Sequence, residues 1–242
     1  MSGDLEYINV NEEYEAKKDK DKIRSSFFYS GCFVIALWAI QFLQWSMSLE
    51  LATLGILPRK VDGLIGILTA PLIHADFGHL VSNSVTLFLL FFGILYFYRS
   101  SAVKVFLIIY ILDGLLVWLF ARQSYHIGAS GLVYGFASFL FFSGVFRKDK
   151  RSIALSLLIV FLYGGMVWGI LPTKPEISFE SHLFGALVGI VCAFIFRKKD
   201  PPPVYEWEKE TSDKEEDDYD DGKDPEEAEI QDDAEPDDFR RN

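Results

Sequence analysis

Ser130 lies in Gly128-Ala129-Ser130-Gly131, a tight connection leading into an apolar run, and His182 stands at the start of another. A serine hydroxyl is a weak nucleophile at neutral pH and needs a base within hydrogen-bond reach, so a Ser–His pair points to acyl transfer. A helix N-terminus adds unpartnered N–H groups and the positive end of the dipole, which suit the charge on an attacked carbonyl oxygen. The same position also suits a serine acting only as an N-cap. His79 and Asn83 are spaced i, i+4 and share one helix face. With the Ser130 N–H they supply donors for an oxyanion, or alternatively a polar clamp between helices. Gly131-x-x-x-Gly135 and Gly185-x-x-x-Gly189 begin just inside the two reactive residues. Small residues at that spacing let helices pack closely in lipid, close enough for Ser130 and His182 to touch. Asp113 falls too deep in its run to reach His182 and reads as a structural hydrogen-bonding group or as part of a water-lined pocket. No HExxH is present, and His74 and His79 are spaced i, i+5, wrong for two ligands on one helix face. Neither a metal nor a cofactor is expected.

The elements that must position these residues are six apolar runs: Phe27–Met47, Leu80–Tyr98, Ala102–Ala121, Ser130–Phe146, Ile153–Leu171 and Ser181–Phe196. None contains proline, and each is apolar all round rather than along one stripe. A bilayer core about 30 Å thick takes roughly 20 apolar residues per helix, so the runs read as six membrane spans. Twenty-six mostly polar residues precede the first run, which excludes a cleavable signal peptide in the reading. Spans two, four and six run in the same direction, which brings His79, Asn83, Ser130 and His182 to one depth near the outer ends of three helices.

Charge orders the rest. The chain of 242 residues has a net charge of -11 and is 50% hydrophobic. Residues 200–242 carry 20 Asp/Glu against 5 Lys/Arg, whereas residues 1–199 carry 14 against 18. The acidity therefore belongs to a tail too polar to bury a core, and it reads as disordered. Fourteen basic residues of the body fall at the two ends and in the second and fourth turns, against four on the other side. The positive-inside rule then places both termini in the cytoplasm. The connection from Ser48 to His79 is too apolar for a solvated loop and reads as a membrane-associated segment. Both cysteines, Cys32 and Cys192, sit in apolar runs, which excludes a disulfide scaffold. No basic stripe suggests nucleic-acid binding.

Taken in order, His74-x4-His79-x3-Asn83, Gly128-x-Ser130-Gly131 with Tyr134, and His182-x2-Gly185-x3-Gly189 resemble the motifs of the rhomboid family of intramembrane serine proteases. The resemblance implies an all-α, six-helix membrane bundle over 27–199, with a cytoplasmic segment 1–26 before it and an acidic cytoplasmic tail 200–242 after it. It implies a multi-pass protein of the cell membrane acting on proteins with transmembrane segments. It further implies a Ser130–His182 dyad without a carboxylate, an oxyanion site of His79, Asn83 and the Ser130 N–H, and Tyr134 packed on the His182 ring. His74, Gly128, Gly131 and Gly185 support that site, and the fifth span serves as a lateral gate. The Trp-Arg pair that many members carry in the first loop is not found. The alternative function is a non-catalytic member that binds and escorts transmembrane helices, against which stands the intact Ser130/His182 pair.

Overall fold

The computed structural model describes residues 2–173 and 177–201, with side chains from Tyr14 onward. The acidic tail expected to be disordered lies outside the described residues beyond Pro201. The described part is helical, with one isolated antiparallel bridge between Ile56 and His126. Its elements are α1 (Ser2–Ser46), α2 (Gly66–Thr69), α3 (Phe77–Phe97), α4 (Ala102–Phe120), α5 (Ser130–Arg147), α6 (Lys150–Tyr163) and α7 (Phe179–Ile195).

Five of the helical segments are long and apolar enough to cross a membrane, and α7, at 17 residues, is a shorter apolar helix. The protein is thus an all-helical membrane bundle of the expected class. Two boundaries differ from the sequence reading. The first span does not begin at Phe27 but continues a single helix that starts at Ser2. At 1.5 Å per residue, this helix is about 67 Å long, more than twice the hydrocarbon thickness. Ion pairs Lys18–Glu15 and Lys22–Asp19, each at 3.0 Å, lie along its polar part. The run Ile153–Leu171 is also not one α-helix. It leaves α geometry after Tyr163 and continues as a 3-10 segment, Gly164–Ile170. Gly164, Gly165 and Gly169 weaken helix propensity there, each by about 1 kcal/mol relative to alanine.

Sequence-local signals set the ends that face the site. Asp76 caps α3, its carboxylate accepting the His79 N–H at 2.8 Å. The connection 47–76 folds into short helical turns against α4. Arg59 donates to the carbonyls of Leu119 and Ala121, at 3.1 and 2.8 Å, satisfying the C-terminal end of that helix. Trp118 Nε1 donates to Lys60 O at 2.9 Å, and Tyr110 Oη to Leu68 O at 2.5 Å.

At the opposite end, Asp149 caps α6 through the Ser152 N–H at 2.9 Å. Burial pushes its carboxyl up, but hydrogen bonds from Ser152 and Arg147 outweigh that and hold it below the usual range. Arg147 also donates to the carbonyls of Lys199 and Asp200, while Asp200 accepts from the Ser100 N–H and the Ser101 hydroxyl. The end of α7 is thereby tied to the α3–α4 turn and to α5. Between the two ends Phe91, Phe106 and Phe136 stack in a fully apolar centre.

Candidate active site

Helices α5 and α7 are the most intimately packed pair. A methyl group added at Gly185 would strike the carbonyl of Gly131, and one at Gly189 would strike the carbonyl of Gly135. Backbone meets backbone because neither helix has a side chain in the way. The result is a contact between the two residues at the helix starts: His182 Nε2 and Ser130 Oγ are 2.8 Å apart.

Ser130 is the first residue of α5, and Ala129 occupies the cap position. The serine hydroxyl makes no capping bond, so the N-cap alternative does not hold. His182 is buried on the first turn of α7. Its Nδ1 lies 2.8 Å from the carbonyl oxygen of Gly169. A carbonyl only accepts, so Nδ1 carries the proton and Nε2 is left with its lone pair toward Ser130. Tyr134 stacks on the imidazole, with ring centres 4.1 Å apart and planes 9° apart. The tyrosine hydroxyl donates to Met166 O at 2.8 Å.

The remaining candidates surround the same space. A cavity of about 600 Å³ is lined by Ser130, His182, Tyr134, His79, Asn83 and Met166, among others. Asn83 donates through Nδ2 to His79 O at 3.2 Å, which uses one of its two amide N–H groups and leaves the other for the cavity. Gly128 has φ +110°, and a side chain there would press on the His79 ring, 2.7 Å from its Cε1. Only glycine fits both the backbone and the ring. His74 does not line the cavity. It is fully buried behind the loop, where its Nε2 accepts the Ala129 N–H at 3.4 Å. Gly131 and Gly185 contribute close approach rather than a reacting group.

The family model described as Rhomboid domain matches residues 62–199. The chain belongs to the rhomboid family. This rhomboid is 36% identical to an uncharacterized protein of Mycobacterium tuberculosis over 172 residues, which are 67% of this chain and 72% of the relative. An uncharacterized protein of Mycobacterium leprae is 31% identical over 172 residues, 67% of this chain and 68% of the relative. The rhomboid family is one of intramembrane proteases, and membership makes this chain a multi-pass integral membrane protein.

Two groups at the site of this rhomboid escaped the sequence reading. The carbonyls of Met166 and Gly169 come from the segment read as a regular fifth span, and a backbone acceptor leaves no trace in residue type. The only sign available was the cluster Gly164, Gly165 and Gly169, which marks a break in an apolar helix. The loop before α7 forms part of the cavity wall through Ile177 and Ser178. His126 Nδ1 lies 2.6 Å from Ser178 Oγ, and its Nε2 lies 3.1 Å from Arg122 O. Arg122 Nη2 donates to Ile177 O at 2.7 Å, and its Nε is 3.7 Å from Glu180. Burial lowers the pKa of His126 below the usual histidine value, so the ring is held neutral between these partners.

Proposed function

We propose that this rhomboid is a serine endopeptidase that hydrolyses peptide bonds in or beside transmembrane segments, with Ser130 as nucleophile and His182 as its base. The observation that carries this reading is the 2.8 Å contact between Ser130 Oγ and a His182 ring whose other nitrogen is occupied by Gly169 O. In the proposed reaction Ser130 Oγ attacks the scissile carbonyl carbon and its proton passes to His182 Nε2. The Ser130 N–H, His79 and Asn83 stabilise the resulting oxyanion. The C–N bond then breaks, and His182 gives its proton to the leaving amine. Water attacks the acyl-enzyme by the same route in reverse and frees Ser130. The Gly169 carbonyl performs the orienting task of a triad's third member, and the Tyr134 ring limits rotation of the imidazole.

The remaining sequence expectations complete the proposal. Residues 27–199 form the catalytic unit, flanked by a cytoplasmic segment 1–26 and an acidic cytoplasmic tail 200–242. The basic residues favour cytoplasmic termini, and with them a cavity that opens on the outer face. Substrates are membrane proteins that enter from the lipid. A fluorophosphonate probe and a panel of single-span substrates test the reading. Wild type should label and cleave, and Ser130→Ala should do neither while keeping its fold. Cleavage by purified Ser130→Ala at the wild-type rate would overturn the mechanism. A wild type that neither labels nor cleaves, yet binds the substrates, would favour the escort function instead.

A further inference from the structure

Asp113 sits in the middle of α4, a span it shares with no other acidic residue. An ionisable side chain at membrane depth is costly and needs a reason. Its surroundings supply one. The carboxyl is almost completely buried, and the Ser181 hydroxyl donates to its Oδ2 at 2.9 Å. Ser181 is the residue immediately before His182. A methyl group at Gly131, the residue immediately after Ser130, would strike the same Oδ2 and the Ser181 hydroxyl oxygen. One side chain from a third helix thus stands directly behind the place where the two reactive residues meet, in contact with the chain neighbour of each. Oδ1 is buried and has no hydrogen-bond partner among the described residues. A group placed there only to hold helices together would more economically be apolar, since a half-satisfied buried polar group costs roughly 1–3 kcal/mol.

We infer that Asp113 is a positioning residue for the Ser130–His182 pair, acting through its hydrogen bond from Ser181 to fix the rotation of α7 about its axis. The inference rests on the proteolytic reading of the site. His182 is anchored by Gly169 O on one side and Tyr134 on another, but both belong to α6–α5 structure outside α7. The Glu180–Arg122 pair ties the very start of α7 to the loop after α4, and the glycine contacts resist approach of the helices without resisting rotation, so the Ser181–Asp113 bond is a direct restraint from α4 on the rotation of α7. A rotation of about 10° at the outer side-chain radius of a helix, about 6 Å, moves a ring atom such as Nε2 by about 1 Å. A displacement of that size costs on the order of 10²-fold in rate at a well-aligned site.

Three variants in the full-length protein test the role: Asp113→Leu, Asp113→Asn and Ser181→Ala. Leucine keeps the branched shape at a larger volume and removes the acceptor, whereas asparagine keeps both the volume and an oxygen for the Ser181 hydroxyl. Asp113→Leu should lower kcat at least tenfold with KM within twofold, and Asp113→Asn should restore kcat to within about threefold of wild type. Ser181→Ala, a deletion of one oxygen that leaves the packing intact, should lower kcat three- to tenfold. The rate of fluorophosphonate labelling at Ser130 should fall in parallel, because it reads the Ser–His geometry without substrate binding. Thermal stability measured on the same samples separates the two roles. Lower melting temperatures with kcat per folded molecule unchanged in Ser181→Ala and Asp113→Leu would overturn the positioning role and leave the protease reading intact. Should Asp113→Leu fail to fold, Ser181→Ala and Asp113→Asn decide the question. A wild type that neither labels nor cleaves would remove the reading beneath the inference, and the inference with it.

Discussion

Gly185→Ala should separate the two reacting residues without touching either. The added methyl carbon would lie 2.9 Å from the Gly131 carbonyl carbon and closer still to its oxygen, which is the limiting obstacle. A carbon resting against a carbonyl oxygen stands at about 3.3–3.6 Å. The obstacle is backbone and cannot rotate aside, so α7 must retreat by roughly 1.1–1.4 Å. Ser130 Oγ and His182 Nε2, now 2.8 Å apart, would then stand at roughly 3.9–4.2 Å, beyond an effective hydrogen bond. Misplacement of that order costs about 10²-fold in rate, or about 2.7 kcal/mol in the barrier. The assay is kcat for cleavage of a single-span substrate in proteoliposomes, with the labelling rate of Ser130 measured beside it. Gly165→Ala is the matched control, because a methyl group there meets nothing within 4 Å. The expected result is a loss of about 10²-fold for Gly185→Ala and little change for the control. Full activity in a folded Gly185→Ala would refute the argument that backbone contact sets the Ser–His distance.

Three other outcomes are expected. Asn83→Ala should lower kcat by about tenfold or more with KM little changed, less than the ~10²–10³ of a sole oxyanion donor because His79 and the Ser130 N–H remain; a lower melting temperature with unchanged kcat would assign Asn83 to helix clamping. Deleting residues 202–242 should leave kcat in detergent within about twofold, since no proposed site residue lies there, and a large loss of turnover would contradict that. His126 should make stability depend on pH: burial lowers its folded pKa, so its contribution is complete above the ordinary value of about 6.5 and is lost as pH falls through that value toward the folded one. Melting temperatures between pH 8 and pH 5 should therefore drop more steeply in wild type than in His126→Gln, and identical slopes would dismiss this residue as the cause.

The class of the fold was legible because a bilayer imposes its own length and polarity on every span, and those constraints act residue by residue. The start of α5 at Ser130 could be read from a local signal, a glycine-rich turn before an apolar run. The level shared by His79, Ser130 and His182 followed from counting spans, since alternate helices run in the same direction. The glycine pairs on the fourth and sixth runs announced a close crossing for the same reason: only small residues admit one. What lay beyond the sequence were interactions made by backbone groups and by partners distant along the chain. Gly169 O and Met166 O have no residue type to betray them, and they reach His182 and Tyr134 only because the chain leaves α geometry after Tyr163. The partner of Asp113 was equally hidden, because depth along a helix can be counted from sequence but rotation about its axis relative to a neighbour cannot. Ser181 meets Asp113 through that rotation, which is set by the packing of α4 and α7 around their shared neighbour α5. Likewise Arg122 and His126 come from one loop, Ser178 from another and Glu180 from the first turn of α7, and their contacts exist only once the helices have fixed where those loops begin and end.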